Sequence, residues 1–513
     1  MSELPRWLDP LYTAGQMRAV DSWAIEQAGI PGLELMELAG TALARAALEP
    51  APEGPIVIVC GKGNNGGDGL VAARQLREQR DRLGDKQVDV VVLGSPDELT
   101  PDARANLERL PGDVHHTLDT ELIGRAGVIV DAMLGTGAGG APRGDIALAV
   151  TAIRSRAAAA RVIAVDIPTG VDADTGEIAG EAVEADLTIA LHSAKLGHFV
   201  GPGAFACGEV RVADIAIPPE AEAAAAVTPG AGTIGPSVLH GIPSRDDLSD
   251  KFASGVLAVA GGSTGLTGAP CMAAMAAQRT GAGYVTAFVP RSLNLVFESR
   301  LLEVMTLPLP DDDGSLRVDG VEALVDRARR VDACVLGPGI GRADGAVSFV
   351  RSAVQRIGCP LLVDADGLWA FNGDLETLRR DAPTVITPHT AELARLLGRA
   401  TEEVAAHRLA SAREAAQAAE AVVVLKGSDT IVVQPDGPVA INSLRAPALA
   451  TAGTGDVLSG VIGALLAKGL SPFTAASAGV YAHALAGREA AERRGADQVI
   501  ATDVISSLAS VLG

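Results

Sequence analysis

Two α/β domains in tandem are predicted for this chain, each built around a mainly parallel sheet. Three observations carry the prediction. Short, continuously apolar runs rich in β-branched residues alternate with helical stretches, as strands covered on both faces require. The alternation lapses once, in a stretch of Ala, Gly and Pro near 220–237, and then resumes. The length of 513 residues suffices for two or three domains with sizeable cores.

In the first half the strands are "PIVIVC" (55–60), "VDVVVL" (88–93), "GVIVDAML" (127–134), "RVIAVDIP" (161–168) and "LTIAL" (187–191), with helical stretches such as 70–80 between them. The break follows "VADIAIPP" (212–219), and residues 219–234 are expected to be a linker, with room for one helical turn. The second series runs "GVLAVAGG" (255–262), "YVTAFVP" (284–290), "ACVLGPG" (333–339), "PLLVDADGL" (360–368), "TVITP" (384–388) and "AVVVLKG" (421–427). Residues 429–443 form a hairpin turning at Asp436-Gly437. Mostly helical sequence follows to the end. The expected domains are therefore 1–218 and 235–513.

Composition narrows the class. There are 42 basic and 63 acidic residues, a net charge of −21. Nucleic acid and membrane surfaces are polyanionic, so neither is an expected partner. The five cysteines are dispersed with no CxxC pair, which favours a reducing compartment over a disulfide framework or a zinc site. The first ten residues lack a basic start and apolar run, and "VLSGVIGALLA" (457–467) is too short to span a bilayer. A soluble, cytoplasmic protein is expected.

The motifs lie at strand ends, where open α/β sheets bind ligands. "CGKGNNGGDGL" follows a strand and opens a helix, but fits neither a dinucleotide loop nor a Walker loop. Its glycines are expected to let backbone N–H groups approach a ligand at the helix mouth. A plain glycine turn would not need Asn64, Asn65 and Asp68. "DAMLGTGAGGAPRG" places Asp131 before a second glycine loop, and "DIPTGVDADTG" places Asp166, Thr169, Asp172 and Asp174 at a third strand end. Such hard oxygen ligands could hold a cation.

In the second half "AGTGDVLSG" runs Gly453, Thr454, Gly455 and Asp456 into a helix. A helix mouth stabilises charge on a transferring phosphoryl group, and a carboxylate there can take a proton from a hydroxyl. "LKGSDT" could close over nucleotide phosphates. "GPGIG" (337–341), "DADGL" with Asp364 and Asp366, "TPHTAEL" with His389, and Gly268-Ala269 at a helix start all fall at the same sheet end.

The front motifs "GIPGLELMELAG", "GNNGGDGL", "DAMLGTG", "DIPTGVDADTG" and "SAKLGHFVGPGAFACGEV" resemble the NAD(P)HX epimerase family over roughly residues 10–218. The resemblance implies a Rossmann-like α/β/α sandwich. It implies hydrate binding by Asn64, Asn65, Gly66, Gly67 and Asp68, by the loop Gly135, Thr136, Gly137, Ala138, Gly139, Gly140 and Ala141, and by Asp166. It further implies a potassium ion on Asn65, Asp131 and Thr169. From about 235 onward the motifs resemble the ADP-dependent NAD(P)H-hydrate dehydratase family, ribokinase-like in fold. Carried over, Lys426, Gly427, Ser428, Asp429, Thr430 and Gly455 would bind the nucleotide. Ala269, Gly339, His389 and Asp456 would bind the hydrate, with Asp456 catalytic. Leu38, Ala391 and the stretch 443–449 depart from the family pattern.

Together the two halves imply a bifunctional repair enzyme for hydrated NAD(P)H. It would take NADHX, NADPHX and ADP as small-molecule substrates, use magnesium in the second domain and assemble as a homo-oligomer. A small-molecule kinase fused to an accessory domain, and a nucleotide-sensing module without catalysis, are the rival readings.

Overall fold

The structure is a computed structural model that describes residues 4–49, 53–79, 86–156, 158–247 and 249–513. Two compact units are present, one spanning Pro10–Ala231 and the other Gly232–Gly513 together with the segment ending at Asp9.

The first strand, β1 (Leu8–Leu11), precedes the core of the first unit. That core is β2 (Ile56–Cys60), β3 (Val88–Val92), β4 (Val128–Ala132), β5 (Arg161–Val165), β6 (Leu187–Leu191) and β7 (Glu209–Ala213). They form one sheet in the order β3-β2-β4-β5-β6-β7, all parallel. Ile58 is flanked by Val90 on one side and Val130 on the other. Every residue of β2, β3 and β4 is buried, which is why they read as unbroken apolar runs. The edge strand β7 reads "EVRVA" with no buried residue, and an alternating edge gives no such signal.

The strand order reverses between β2 and β4, so the crevice of the sheet opens there. Helix Asn64–Glu78 leaves β2 at this point and packs on helix Gly32–Ala47. Arg80, expected at the end of that helical stretch, lies outside the described residues. Three of the loop glycines lie within the helix that follows. A Cβ on Gly67 would stand 2.6 Å from Met36 Sδ, and one on Gly69 would stand 2.5 Å from Ala132 Cβ. Gly66, Gly67 and Gly69 are thus helical and buried, and serve close packing rather than approach to a ligand.

In the second unit the strands are β8 (Ala231–Ile234), β9 (Val256–Ala260), β10 (Tyr284–Pro290), β11 (Met305–Leu309), the ribbon pair β12 (Asp311–Asp312) and β13 (Ser315–Leu316), β14 (Ala333–Leu336), β15 (Leu361–Val363), β16 (Thr384–Ile386), β17 (Val422–Leu425), β18 (Ile431–Val433) and β19 (Val439–Ile441). The main sheet has the order β1-β8-β19-β18-β17-β16-β15-β14-β9-β10-β11. From β11 through β17 it is parallel, and the β17-β18-β19 end is antiparallel. The β18-β19 hairpin turns at Asp436-Gly437, with Asp436 at φ 50°.

Here the order reverses between β9 and β14. Helix Thr454–Ala467 lies under these strands and against helix Gly268–Arg279. A Cβ on Gly460 would overlap the Ala273 carbonyl, and Gly463 faces Val335. The apolar run at 457–467 is accordingly a buried core helix. Among the described residues no helix is long and apolar enough to cross a membrane.

Residues 219–234, expected as a linker, carry the short helix Ala221–Ala224 and β8. Ala221 is buried with Tyr12, Met17 and Val20, which ties the Ala run to the first unit. Gly235 N donates to Trp7 O at 2.9 Å, which ties the segment before Asp9 to the second.

Gly460→Ala should lower the stability of the second unit by about 1–3 kcal/mol, because a backbone carbonyl cannot move aside. Urea denaturation followed by circular dichroism checks this; an unchanged midpoint would show that the helix can shift freely.

Candidate functional site

Both crevices carry polar side chains, and each is built by strand ends. In the first unit a cavity of about 550 Å³ opens between the loops after β2 and β4. Asn64, Asn65, Asp68, Gly135, Thr136, Gly137, Ala138 and Asp166 line it together. Gly66 and Gly67 are in the helix packing instead. Gly139 and Gly140 line a smaller neighbouring hollow of about 220 Å³. Ala141 lines neither and stands beside Gly180.

Asp131 and Thr169 lie beneath the cavity floor. Asp131 is fully buried and accepts from Thr169 N at 2.8 Å, Thr169 Oγ1 at 2.7 Å and Met133 N at 3.2 Å. Burial pushes its carboxyl up to about 6 against these hydrogen bonds, and no cation acts on it among the described residues. Thr169 Oγ1 also accepts from Leu134 N at 3.1 Å, so this pair fixes the start of the second glycine loop. Asn65 Nδ2 is buried without a partner.

Asp166 leaves β5 in the left-handed region, φ 62°, an unusual place for a non-glycine residue. Its Oδ1 accepts from Leu191 N at 3.0 Å and from the Lys195 ammonium. Lys195 is almost wholly buried, and its Nζ also donates to Leu191 O at 3.0 Å. His198 is pushed down to about 4, burial first, and is neutral. Its Nδ1 accepts from Lys195 N at 3.0 Å, so Nε2 carries the hydrogen and donates to Asp166 O at 2.7 Å. Lys195 and His198 were given no role from sequence, although "SAKLGHF" was singled out; a lysine in a near-apolar run was the available signal. Asp172 and Asp174 serve local structure: Asp172 Oδ1 accepts from Asp174 N at 2.9 Å, and Asp174 holds Ala14 N at 2.5 Å.

In the second unit Asp456 lies in the first turn of helix Thr454–Ala467, which starts from Gly453 at φ 90° with no side-chain cap. Thr454 N reaches Thr451 O at 3.5 Å, and the Gly455 and Asp456 N–H groups are left for an anion. Lys426 stands at the end of β17. Its Nζ donates to Asp364 Oδ1 at 2.9 Å, with Glu392 Oε2 at 3.8 Å. A Cβ on Gly455 would lie 3.6 Å from that ammonium, which places it beside the helix mouth. Asp364, buried at the end of β15, also accepts from Ser459 Oγ at 2.6 Å. Burial opposes its charge, but Lys426 and its hydrogen bonds hold it below the usual carboxylate range. Asp456 differs: burial, with Asp364 adding like charge, pushes it up to about 7.

His389 caps helix Thr390–Leu397. Its Nδ1 accepts from Ala391 N at 3.2 Å and Glu392 N at 3.3 Å, while Glu392 Oε2 accepts from His389 N at 2.8 Å. Burial lowers its imidazole, which keeps Nδ1 free to accept. An isolated bridge pairs His389 with Lys426. Gly339, at φ 59°, packs against Ala269, and its carbonyl accepts from Ser263 Oγ at 2.9 Å. Asp366 is turned to Arg342 Nε at 2.7 Å.

In the loop 426–430 Gly427 and Ser428 face outward, but Asp429 and Thr430 are buried. Thr430 Oγ1 closes the loop onto Gly427 O at 2.7 Å. Asp429 takes a two-pronged pair from buried Arg408, at 2.9 and 2.8 Å. Arg408 also donates to Thr390 Oγ1 at 2.8 Å, joining the loop to the helix that His389 caps. Nothing in the spacing of 408 and 429 marks this contact beforehand.

Comparison with known proteins bears on both crevices. A family model described as NAD(P)H-hydrate dehydratase matches residues 257–510, and one described as YjeF-related protein N-terminus matches 32–197. A bifunctional NAD(P)H-hydrate repair enzyme of Salinibacter ruber is 40% identical over 98% of this chain and 96% of its own. Its counterpart in Moorella thermoacetica is 38% identical over the same shares. Among solved structures, the ADP/ATP-dependent NAD(P)H-hydrate dehydratase of Bacillus subtilis, co-crystallised with ATP and Mg²⁺, is 27% identical with a TM-score of 0.46, over 53% of this chain and 94% of its own.

Arg408→Ala should cost about 3–5 kcal/mol of stability, because Asp429 loses its buried cation. Arg408→Lys keeps the charge but not the planar fork and should recover only part. Urea denaturation of the three proteins checks the order; equal stability would mean that the pair holds nothing.

Proposed function

The chain belongs to the family of bifunctional NAD(P)H-hydrate repair enzymes, and on that premise we propose how its two sites share the work. The substrate is a reduced nicotinamide that has added water at C6. The second unit returns S-NAD(P)HX to NAD(P)H as ADP becomes AMP and phosphate. The first unit interconverts the R and S epimers, so that both can be rescued.

Hydroxide is a poor leaving group, and the second site turns it into phosphate. Asp456 takes the proton of the C6 hydroxyl as its oxygen attacks the terminal phosphorus of ADP, and AMP departs. The helix mouth at Thr454–Asp456 and the Lys426 ammonium stabilise the charge on the phosphoryl group in flight. The ring nitrogen then expels phosphate from C6, and loss of a C5 proton restores the C5=C6 double bond. One observation carries this reading: a carboxyl group pushed up to about 7 stands in an uncapped helix mouth beside a partly buried ammonium. Ala269, Gly339 and His389 are proposed to bind the hydrate. Lys426 through Thr430 and Gly455 are proposed to bind the nucleotide, chiefly by backbone, since the Asp429 and Thr430 side chains are used within the loop.

In the first unit the cavity wall of Asn64, Asn65, Asp68, Gly135 to Ala138 and Asp166 would bind the hydrate. Asp131, buried without a cation, and the oxygens of Asn65 and Thr169 fit potassium as a set of hard donors. Such an ion would neutralise Asp131 and steady the second glycine loop. In the second unit Asp364 and Asp366 are engaged by lysine and arginine. Magnesium would therefore ride on the nucleotide phosphates rather than in a carboxylate cage. The protein is proposed to be a cytoplasmic homo-oligomer.

NADH recovery from mixed R- and S-NADHX with ADP, followed by absorbance, tests the reading. Full recovery is expected, with a loss of at least ~100-fold in Asp456→Asn. A stable phosphorylated product in place of NADH would overturn it. Because Asp456 must shed its proton to act, dehydration kcat/KM should rise as pH rises through about 7. A profile flat from about pH 5 to about pH 9 would mean a different base.

A further inference from the structure

Epimerisation at C6 needs a group that takes a proton and one that gives a proton, and nothing so far says which they are. Two carboxyl groups in very different surroundings face the first cavity, Asp68 and Asp166. Asp166 is held by Leu191 N and the Lys195 ammonium, so its negative charge is well supported. Asp68, on the first turns of helix Asn64–Glu78, has no cation acting on it among the described residues. It is 6% exposed, and what exposure it has is toward the cavity. The charged groups acting on it, Asp166 and Asp21, are both acidic. Burial and these like charges push the Asp68 carboxyl well above the usual carboxylate range, while Lys195 keeps Asp166 below it.

Resting on the epimerase reading of this unit, we propose that Asp166 is the proton acceptor and Asp68 the proton donor of epimerisation, and that Lys195 is the positioning residue for Asp166. The chemistry balances without redox or a further reactant. Asp166 takes the C6 hydroxyl proton, the C6–O bond becomes a carbonyl, and the C6–N1 bond breaks with its electron pair going to nitrogen. Asp68 gives its proton to N1. Rotation about C5–C6 turns the other face of the aldehyde to the nitrogen. N1 attacks C6, its proton returns to Asp68, and the new alkoxide recovers the proton held by Asp166. The intermediate state has Asp68 charged and Asp166 neutral, the reverse of what Lys195 and Asp21 favour, so the surroundings drive reclosure. Pairs of carboxyls whose environments push them apart are the usual sign of divided acid and base roles.

The test uses the full-length protein and R-NADHX alone, without ADP, with R-to-S conversion read by chromatography and equilibrium binding of R-NADHX measured on the same samples. Asp68→Asn and Asp166→Asn should each lower conversion at least ~100-fold, far more than they weaken binding. Lys195→Arg should retain more kcat than Lys195→Met at similar KM. Conversion within about threefold of wild type in either Asn variant would overturn the assignment, as would losses of conversion matched by equal losses of binding in both. A wild-type protein that binds R-NADHX without converting it would instead sink the epimerase reading itself.

Discussion

The partly buried ammonium of Lys426 is what the second site depends on. A charge in that position is tolerable only because Asp364 meets it directly, and Glu392 stands near. Asp364 is in turn secured by Ser459 from the helix whose mouth the ammonium overlooks. One ion pair therefore ties β15, β17 and helix Thr454–Ala467 together at the open end of the sheet. It also sets the character of Asp456, whose proton is retained partly because Asp364 is charged. Removing either partner would leave an unpaired charge and misplace the groups that meet the phosphoryl.

The two units reach their sites by the same physical route. In each, the parallel part of the sheet reverses its strand order once, and glycine turns and carboxylates gather at the strand ends there. In each, a helix approaches a neighbouring helix (at Gly67 and Gly460) and the sheet (at Gly69 and Gly463) through positions where a side chain would collide. In each, one carboxylate is paired with a lysine and a second is left without its own cation. Asp364 with Asp456, and Asp166 with Asp68, are two versions of one electrostatic arrangement. What differs is what faces the second carboxylate: an uncapped helix mouth in one unit, an open cavity in the other.

Much of the fold was legible because the central strands are apolar on both faces. The runs at 187–191 and 284–290 match β6 and β10 residue for residue. The strands that have no counterpart in the sequence reading, β1, β7, β8, β11 and the ribbon β12-β13, lie at or next to a sheet edge, where one face or one flank needs no apolar run. The segment 219–234, expected as a linker with room for one helical turn, carries that turn at Ala221–Ala224. An Ala-rich segment has no periodic signal, yet Ala221 fills a gap against Tyr12 and Val20 that only the folded chain defines. The cavity residues Asn64, Asp68 and Asp166 could be found because polar groups at strand ends are unusual. The glycines around them could not be sorted into turn and packing roles, since both leave the same letters. Lys195 and Arg408 were hidden because their partners, Asp166 and Asp429, come from distant parts of the chain.

The account rests on one claim, that the second site removes water by first making it part of a phosphate ester. Labelling the C6 hydroxyl oxygen of S-NADHX with ¹⁸O and collecting the products with ADP in ordinary water tests that most directly. The account predicts that the label appears in inorganic phosphate, read by mass spectrometry or ³¹P NMR. Label in water, with unlabelled phosphate, would mean that hydroxide leaves unaided and that the Asp456 site merely hydrolyses the nucleotide alongside.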